Sequence, residues 1–381
     1  MSVKDGFYPE DFGPFHGRVW MNTAHQGPSP KVAASAAEAA LSQRIRPSEI
    51  HDEDFFEGPK RLRHVLGRLI DAAPEDIILG NSTSYGLNLL ANGIRWNAGD
   101  EILLVDGDFP ADIYSWFPAR ERGATIRLCK ANGPAINAEE LATEISPRTR
   151  LFCCSWVNSF TGHSLDIAAI GEVCRQAGVW FVLNASQGLG AGVLHVKGLP
   201  IDAITCCGYK WLCGPYGTGF CWLMPALRET LLPLHAYWLP MQAGKPLDQM
   251  RDYTFRPDLG ARAWDVFCTA NFLNFRPWTA AVEYIVDADP ERVAAYDQQL
   301  IDRFIKGLDR ERYELVSPES HSLRSTLVVL RPLGGIDSPQ LLDRLAHAGI
   351  DVALREGNLR VSPHLHNTTA DIDRALDVLH R

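Results

Sequence analysis

The sequence predicts an α/β fold, in which a large domain with a mostly parallel sheet precedes a smaller α+β domain. From about residue 31, continuous apolar runs typical of buried strands alternate with helical patterns, which indicates a parallel sheet covered on both faces. After residue 271 the pattern changes to long helices with a few short strands. We therefore expect an N-terminal segment over residues 1–20, a large domain over 21–270 and a small C-terminal domain over 271–381.

The individual elements follow from these patterns. Pro30 precedes the first helix, and Asn137 is the expected N-cap of a later one. The expected helices of the large domain are KVAASAAEAALSQRI, FEGPKRLRHVLGRLI, YGLNLLANGI, NAEELATEI and DIAAIGEVCRQAG. Its expected strands are DIILG, EILLVD, ATIRLC, RLFCCSWV, VWFVLNAS, IDAITCCG and GTGFCWLM, and those of the small domain are STLVVLRP, DVALRE and LRVSP. The stretch from His235 to Gly260 has no clear period, and we expect it to be a functional loop.

Composition and charge argue against several classes of protein. The chain has 381 residues, of which 46% are hydrophobic, and this is enough for a large core. Its net charge is −9 and it contains no basic run, so nucleic acid is not an expected partner. No apolar run approaches the ~20 residues that cross a membrane, and the N-terminus has no apolar signal core. We therefore expect no contact with a membrane.

Cysteine usage indicates a reducing compartment. The nine cysteines include the adjacent pairs Cys153/Cys154 and Cys206/Cys207, and no C-x-x-C motif occurs. Adjacent cysteines inside apolar runs suit buried strands better than disulfides. We expect free thiols in a cytoplasmic protein, and no metal ion.

Polar residues directly follow several of the predicted strands. They are Ser82, Thr83, Ser84, Asn158, Asn184, Gln187 and Lys210. Each alone would be an ordinary cap or turn residue, and Lys210 alone could be a surface lysine. Because parallel strands bring their carboxyl ends to one edge of the sheet, we expect these residues to form one site there. Free N–H groups and hydroxyls at a helix start suit a phosphate, and a desolvated lysine forms Schiff bases.

These motifs together resemble the class V aminotransferase family, which contains cysteine desulfurases, isopenicillin N epimerase-like enzymes and kynureninases. The resemblance covers nearly the whole chain, through VWMNTAHQGPSP, STSYGLN, DGDFPADIYSW, VNSFTG, NASQGLGA, GYKWLCGPYGTG and LRVSPHLHNTTADID. It implies an enzyme that uses pyridoxal 5′-phosphate (PLP), with the PLP-dependent transferase fold type I.

The resemblance also implies roles for individual residues around the coenzyme. Lys210 matches the lysine that attaches covalently to PLP. The other implied coenzyme contacts are Thr83 and Ser84 at the phosphate, Tyr209 and Cys207 beside it, Phe109 against the ring, Asn184 at the ring nitrogen, and Asn158 and Gln187 near the 3′-oxygen. A thiol is a poor donor, so Cys207 would contribute less than the serine that desulfurases carry there.

Other implied roles concern the substrate and a second subunit. Arg360 matches the arginine that binds the substrate α-carboxylate, and Arg355 is its nearby competitor. His25, Gln26 and Asn158 are expected to line the substrate pocket, although a capped turn is an equal explanation for Gln26. Thr269, within FCTAN, resembles a segment that reaches the neighbouring subunit's phosphate, which implies a homodimer with shared active sites.

Two departures from the family pattern bear on the reaction. The family normally carries Asp where this chain has Asn184, and that acid keeps the ring nitrogen protonated. An asparagine can instead donate its amide N–H to an unprotonated nitrogen. Desulfurases also need a nucleophilic Cys shortly before the carboxylate-binding Arg, but GIDVALREGNLRVSP contains none and the last cysteine is Cys268. Persulfide transfer is therefore not expected, and Cys268 and the strand cysteines are interpreted as core residues.

The interpretation that follows is a PLP-dependent lyase that acts on an amino acid. We expect α,β-elimination from a cysteine conjugate, as in lyases of sulfur-containing natural-product pathways such as ergothioneine or lincosamide biosynthesis. Transamination, epimerisation and decarboxylation, including an oxygen-dependent decarboxylative deamination, stay open. A catalytically dead relative, that is, a non-catalytic PLP-fold binding protein, is the alternative from another class.

Overall fold

The computed structural model describes residues 9–242, 244–245, 247–251, 253 and 255–381. The strands of this part of the chain are β1 (Val19–Trp20), β2 (Ile77–Gly80), β3 (Glu101–Val105), β4 (Thr125–Cys129), β5 (Thr149–Ser155), β6 (Trp180–Asn184), β7 (Ala203–Cys207), β8 (Gly219–Leu223), β9 (Tyr313–Leu315), β10 (Val328–Pro332), β11 (Ile350–Asp351), β12 (Ala353–Arg355) and β13 (Asn358–Val361).

The α-helices of the same part are α1 (Lys31–Ile45), α2 (Asp54–Ile70), α3 (Thr83–Gly93), α4 (Pro110–Tyr114), α5 (Phe117–Arg120), α6 (Ala138–Glu144), α7 (Ile167–Ala177), α8 (Pro225–Arg228), α9 (Trp238–Met241), α10 (Phe272–Asp287), α11 (Pro290–Gly307), α12 (Ser338–His347) and α13 (Thr369–Leu379). The predicted cap is present, because Asn137 accepts from the Glu140 backbone N–H at 2.9 Å while the Glu140 carboxylate accepts from the Asn137 N–H.

The large sheet has the order β2-β8-β7-β6-β5-β3-β4. All its strand pairs are parallel except those of β8, which is antiparallel to both neighbours. The side chains of β5 alternate between the two faces, so Phe152 and Cys154 join one buried cluster while Leu151 and Cys153 join the other. A sheet buried on both faces explains the continuous apolar runs, and the predicted fold class is confirmed.

The small domain has an antiparallel sheet in the order β12-β13-β10-β9, packed with α11, α12 and α13. Strand β1 belongs to its core, because it pairs in parallel with β11 and Val19 and Met21 pack there, whereas Phe12, earlier in the N-terminal segment, joins the core of the large domain. Helix α10, which was predicted to begin the small domain, instead packs against α1 and α2, with Trp278 fully buried. The change of core therefore comes after α10, beyond the predicted boundary at residue 271.

The nine cysteines all lie in the described ranges and all are free thiols. Eight are buried, as predicted for the strand cysteines, but Cys268 is exposed. The prediction of a core position was wrong for Cys268, whose backbone has φ 59° in the turn before α10, at the surface. In the residues that the structure covers, no helix combines the length and apolarity of a membrane span.

The structure describes most of the predicted functional loop from His235 to Gly260. Its residues 243, 246, 252 and 254 lie outside the described residues. The described part includes the short helix α9, and it begins where Nδ1 of His235 lies 3.2 Å from the Tyr85 hydroxyl.

Candidate active site

Lys210 lies in the turn that follows β7, and its side chain is buried with 7% exposure. Its Nζ lies 5.2 Å from the centroid of the Phe109 ring. Within the described part of the chain, this amine has no hydrogen-bond or ion-pair partner. The Phe109 ring and the Lys210 amine therefore lie together, while stacking of Phe109 on a coenzyme ring stays a prediction.

The glycines around Lys210 allow the turn to lie close against its neighbours. A Cβ at Gly208 or Gly214 would overlap Trp278 of α10, and one at Gly27 would overlap the Lys210 carbonyl oxygen. The Gly27 N–H donates to the Tyr209 carbonyl at 2.9 Å, which joins the segment after β1 to the lysine turn. Because these glycines have no side chain, the neighbouring segments can approach the backbone of the lysine turn closely and fix the position of Lys210.

Asn184 ends β6 and contacts a carboxylate that the sequence analysis missed. Its Nδ2 lies 2.9 Å from both Oδ1 and Oδ2 of Asp112, a residue of α4. The Ser155 hydroxyl donates to Oδ2 of the same carboxylate at 2.7 Å. Burial first, and then the charge of Asp108, raise the pKa of Asp112 to about 8, while Ser155, Asn184 and Lys210 act against the rise. The Asn184 amide therefore donates a hydrogen bond to a buried acid.

The start of α3, where a phosphate cup is predicted, gathers hydroxyl and backbone N–H groups. Ser82 is the N-cap, and its hydroxyl accepts from the Tyr85 N–H at 3.2 Å. Thr83 is buried and its hydroxyl bonds with that of Ser186, while Ser84 is half-buried. The Ser186 hydroxyl also accepts from the Cys207 N–H at 3.3 Å. Hydroxyls and helix N–H groups from three segments thus meet at one place.

Gln187 and Asn158 are both tied into the surrounding structure. The Gln187 amide donates to the Ala24 carbonyl at 3.0 Å and accepts from the Trp211 indole at 2.9 Å. The Asn158 Oδ1 accepts from the N–H groups of Phe160 and Thr161 at 2.9 and 3.0 Å, which makes it a turn residue. A contact of Asn158 with a coenzyme must therefore use its amide N–H groups, whereas Gln187 keeps one N–H and one lone pair of its carbonyl oxygen.

Arg360 lies on β13 and is buried with 2% exposure. No carboxylate of the described residues forms an ion pair with it, and its Nε has no hydrogen-bond partner. Burial first, and then the neighbouring charge of Arg355, lower the pKa of Arg360 to about 10. A buried guanidinium that has no ion pair among the described residues is suited to bind an anion from outside the chain.

His25 connects Arg360 with Lys210. Burial first, and then the charges of Arg355, Arg360 and Lys210, lower the pKa of His25, so its imidazole is neutral near pH 7. The same turn holds Gln26, which is exposed and whose carbonyl accepts from the Trp20 indole at 2.8 Å. The turn after β1 therefore lies within electrostatic reach of the lysine and of both arginines, and a place for His25 in the lining of a substrate pocket stays a prediction.

Two of the predicted coenzyme contacts lie at the margin of this site. Tyr209 is half-buried and its ring centroid lies 4.7 Å from that of Tyr216, while burial, and then Cys207, raise the pKa of its phenol. Thr269 instead lines a separate cavity of about 460 Å³ beside Arg63 and Asp265. A single chain does not bring Thr269 to Lys210, and its role in a neighbouring subunit stays a prediction.

Sequence reasoning missed Asp112 and Ser186. The available signal for Asp112 was DFPAD, in which two acids four residues apart flank Phe109 in an otherwise apolar stretch. Ser186 was signalled by its place between Asn184 and Gln187. Neither signal shows which strand end the residue faces, because that depends on strand order.

The donor set fits pyridoxal phosphate. The coenzyme carries an aldehyde, a phosphate and an aromatic ring with a basic nitrogen. The structure offers the unpartnered amine of Lys210, the hydroxyl-rich start of α3, the Phe109 ring beside the amine, and the Asn184 amide. Each chemical group of the coenzyme thus has a complementary partner at this edge of the sheet.

Comparisons with known proteins agree with this geometry. The aminotransferase class-V model matches residues 45–374. Isopenicillin N epimerase of Streptomyces clavuligerus is 30% identical over 382 residues, which cover 95% of this chain and 94% of the relative. A probable cysteine desulfurase of Methanothermobacter thermautotrophicus is 23% identical over 328 residues, with 81% and 80% covered.

The solved structures include C-DES, in a Lys-to-Ala variant with glycine covalently linked to the PLP cofactor. It superposes with a TM-score of 0.87 at 20% identity over 98% of both chains. This likeness confirms the fold, while the family follows from the sequence matches. The chain belongs to the class-V aminotransferase family of pyridoxal phosphate-dependent enzymes.

Proposed function

We propose that the protein is a C–S lyase that cleaves a cysteine conjugate by α,β-elimination, in the biosynthesis of a sulfur-containing natural product. The observation that carries the proposal is Arg360, a buried arginine that has no ion pair among the described residues and whose charge, like that of Lys210, acts on His25. A bidentate guanidinium suits the α-carboxylate of an amino acid and places its α-carbon near the lysine amine. PLP, when bound, holds the substrate amino group and withdraws electrons from the α-carbon.

Lys210 is the proton carrier of the proposed reaction. Its Nζ takes the Cα proton, the electron pair of that C–H bond forms the Cα–Cβ double bond, and the Cβ–S bond breaks to release a thiolate. Hydrolysis of the remaining fragment yields pyruvate and ammonia. After this step Lys210 carries the proton that the departing sulfur takes up. The neutral imidazole of His25 lies within electrostatic reach of Lys210, but it has no acidic proton to give and acts only as a hydrogen-bond partner.

The segment before Arg360 supports a lyase over a persulfide-transferring desulfurase. Strands β12 and β13 pair Arg355 with Asn358, so only Glu356 and Gly357 connect them. Both have positive φ, 47° and 76°, as in a type I′ hairpin turn. A two-residue turn without cysteine provides neither the loop nor the nucleophile that would carry a persulfide.

Epimerisation is the second candidate. It is favoured by the 30% identity with isopenicillin N epimerase and by the presence of two basic side chains, Lys210 and His25, within electrostatic reach of each other. An epimerase would exchange the Cα proton and leave the Cβ substituent in place.

Mass spectrometry of products from a panel of cysteine conjugates tests the proposal. We expect pyruvate, ammonia and the free thiol from wild type. For Lys210→Ala we expect at least about a thousandfold loss, since the proton carrier is gone. Inverted substrate would support the epimerase, carbon dioxide a decarboxylase, and a keto acid that retains sulfur a transaminase. Covalent PLP without turnover of any substrate would favour a binding protein.

We also propose a homodimer in the cytoplasm. The free thiols fit a reducing compartment. Large exposed aromatic side chains support a subunit contact near the site: Tyr216 beside Tyr209, and Phe267, whose ring centroid lies 5.1 Å from that of His235. Light scattering should give about twice the 42.3 kDa chain mass, and a monomer at micromolar concentration would contradict the dimer.

A further inference from the structure

Two buried carboxylates lie behind Asn184, and they differ in what they bind. Asp108 accepts the backbone N–H groups of Phe109 and Ser155, both at 2.7 Å. Asp112, with 1% exposure, accepts only side-chain donors, the Ser155 hydroxyl and the Asn184 amide. In the described residues no Lys, Arg or His forms an ion pair with Asp112. Asp108 therefore secures a turn, whereas Asp112 faces the site through other side chains.

The orientation of the Asn184 amide follows from its neighbours. Its Oδ1 accepts from the Ser186 N–H at 3.0 Å, and its Nδ2 lies equally far, 2.9 Å, from both Asp112 oxygens. The two oxygens of one carboxylate subtend a narrow angle at that distance, so a single N–H serves both. A carbonyl oxygen has two lone pairs, so Oδ1 keeps one for a further donor.

An amide that donates its N–H to an anion becomes a better acceptor at its carbonyl oxygen, because hydrogen bonds in a chain polarise one another. The chain from the Asp112 carboxylate through the Asn184 amide ends at Oδ1. A protonated ring nitrogen is the donor that this end suits. Because one N–H serves both Asp112 oxygens, the second N–H of Asn184 also remains, so the expected donation to an unprotonated nitrogen is the alternative that the test below must separate from this one.

We propose that Asp112 is a positioning residue that acts through Asn184 to keep the ring nitrogen of the coenzyme protonated. The acid that the family carries at the end of β6 is replaced here by an acid on α4, with an amide between it and the ring. The inference rests on the proposed attachment of the coenzyme at Lys210. Burial and the charge of Asp108 raise the pKa of Asp112 to about 8, so near pH 7 the acid is largely protonated unless a cation lies near it, and the positive charge of a protonated ring nitrogen would favour its ionised form. The groups of the chain that face it are Asp108, Cys153 and Cys154 of β5, and Lys210.

The test measures the ring nitrogen directly. Wild type and variants are loaded with PLP labelled with ¹⁵N in the ring, and the nitrogen shift is followed by NMR across pH. For Asp112→Asn we expect the pKa of the nitrogen to fall by about one unit or more, which is roughly tenfold in proton affinity. The double substitution Asp112→Asn/Asn184→Asp, which exchanges the two residues, should restore the pKa of the ring nitrogen. Asp108→Asn, the matched control, should leave the nitrogen protonated, because Asp108 does not contact Asn184.

Each other outcome has a defined meaning. An unchanged nitrogen pKa in Asp112→Asn, with a lower melting temperature, would show a structural role and overturn the proposal. An unprotonated nitrogen in wild type would overturn it as well. If Asp112→Asn does not fold, Asn184→Ala removes the amide, keeps the acid and should lower the nitrogen pKa. Failure of borohydride to fix PLP on wild-type Lys210 would instead overturn the proposed function, and with it this inference.

Discussion

Arg63 and Arg360 are both buried arginines, but only one of them has a counter-ion. Arg63, on α2, is 7% exposed and forms an ion pair with Asp265, whose other oxygen accepts from the Leu79 N–H at 2.9 Å. Arg360 is 2% exposed, has an unpartnered Nε, and has no ion pair within the described residues. The first arginine joins α2, β2 and the segment before α10, whereas the second borders the space at Lys210.

This difference separates a structural charge from a functional one. Burial of a cation costs free energy that a buried carboxylate offsets when its hydrogen bonds are also satisfied. Arg63 has that compensation, so removal of either partner leaves the other uncompensated. Arg360 lacks it, which is why its pKa is lowered to about 10, and the missing anion is the one that the proposed substrate would bring.

The largest effect is expected for Arg63→Met. Loss of the guanidinium leaves the Asp265 carboxylate buried without its cation, which should lower the free energy of unfolding by about 3–5 kcal/mol. Urea denaturation of the coenzyme-free protein measures this. If the free energy of unfolding changed by less than ~1 kcal/mol, Arg63 would not be a structural charge and its contrast with Arg360 would be wrong.

A smaller effect, on activity alone, is expected for Arg360→Met. Loss of a desolvated partner of the substrate carboxylate should reduce kcat/KM by about 2–5 kcal/mol of transition-state binding, roughly 30- to 5000-fold. The coenzyme spectrum should not change, and the coenzyme-free protein should be as stable as wild type or more stable, since an uncompensated charge is removed. A destabilisation like that of Arg63→Met would show that Arg360 is structural.

The matched control is Arg355→Met, for which the smallest effect is expected. Arg355 is only half-buried and its Nη1 donates to the carbonyl of Leu354 at 2.8 Å. A solvent-screened charge contributes about 0.2–1 kcal/mol, so kcat/KM should fall less than about tenfold. If Arg355→Met lost more activity than Arg360→Met, the carboxylate site would be wrongly assigned.

Much of the large domain was predictable because its signals are local. Helix α1 begins behind Pro30 and ends at Ile45 as predicted, and Asn137 caps α6. Lys210, Asn184 and Thr83 meet because parallel strands bring their carboxyl ends to one edge. The boundary at residue 271 differed from the packing because helical periodicity does not show which core a helix joins.

Asp112 could not be placed from the sequence because its position depends on strand order. Strand β5 lies between β3 and β6 in the sheet, so the segment after β3 comes beside Ser155 and Asn184. The chain separates Asp112 from Asn184 by 72 residues, and no local pattern relates them. The same holds for the cluster of His25, Arg355 and Arg360, which the pairing of β1 with β11 brings beside the lysine.

The sequence by itself determined the strand and helix pattern, the fold class, the family and the lysine, because each depends on residue type and spacing along the chain. Only the tertiary structure decided that the Asn184 amide donates to Asp112, that Gln187 joins Ala24 to Trp211, that Cys268 is exposed and that Arg360 has no ion pair in the part of the chain that the structure describes. Those properties are contacts between distant segments, and the order of strands in the sheet and the packing of α10 establish them.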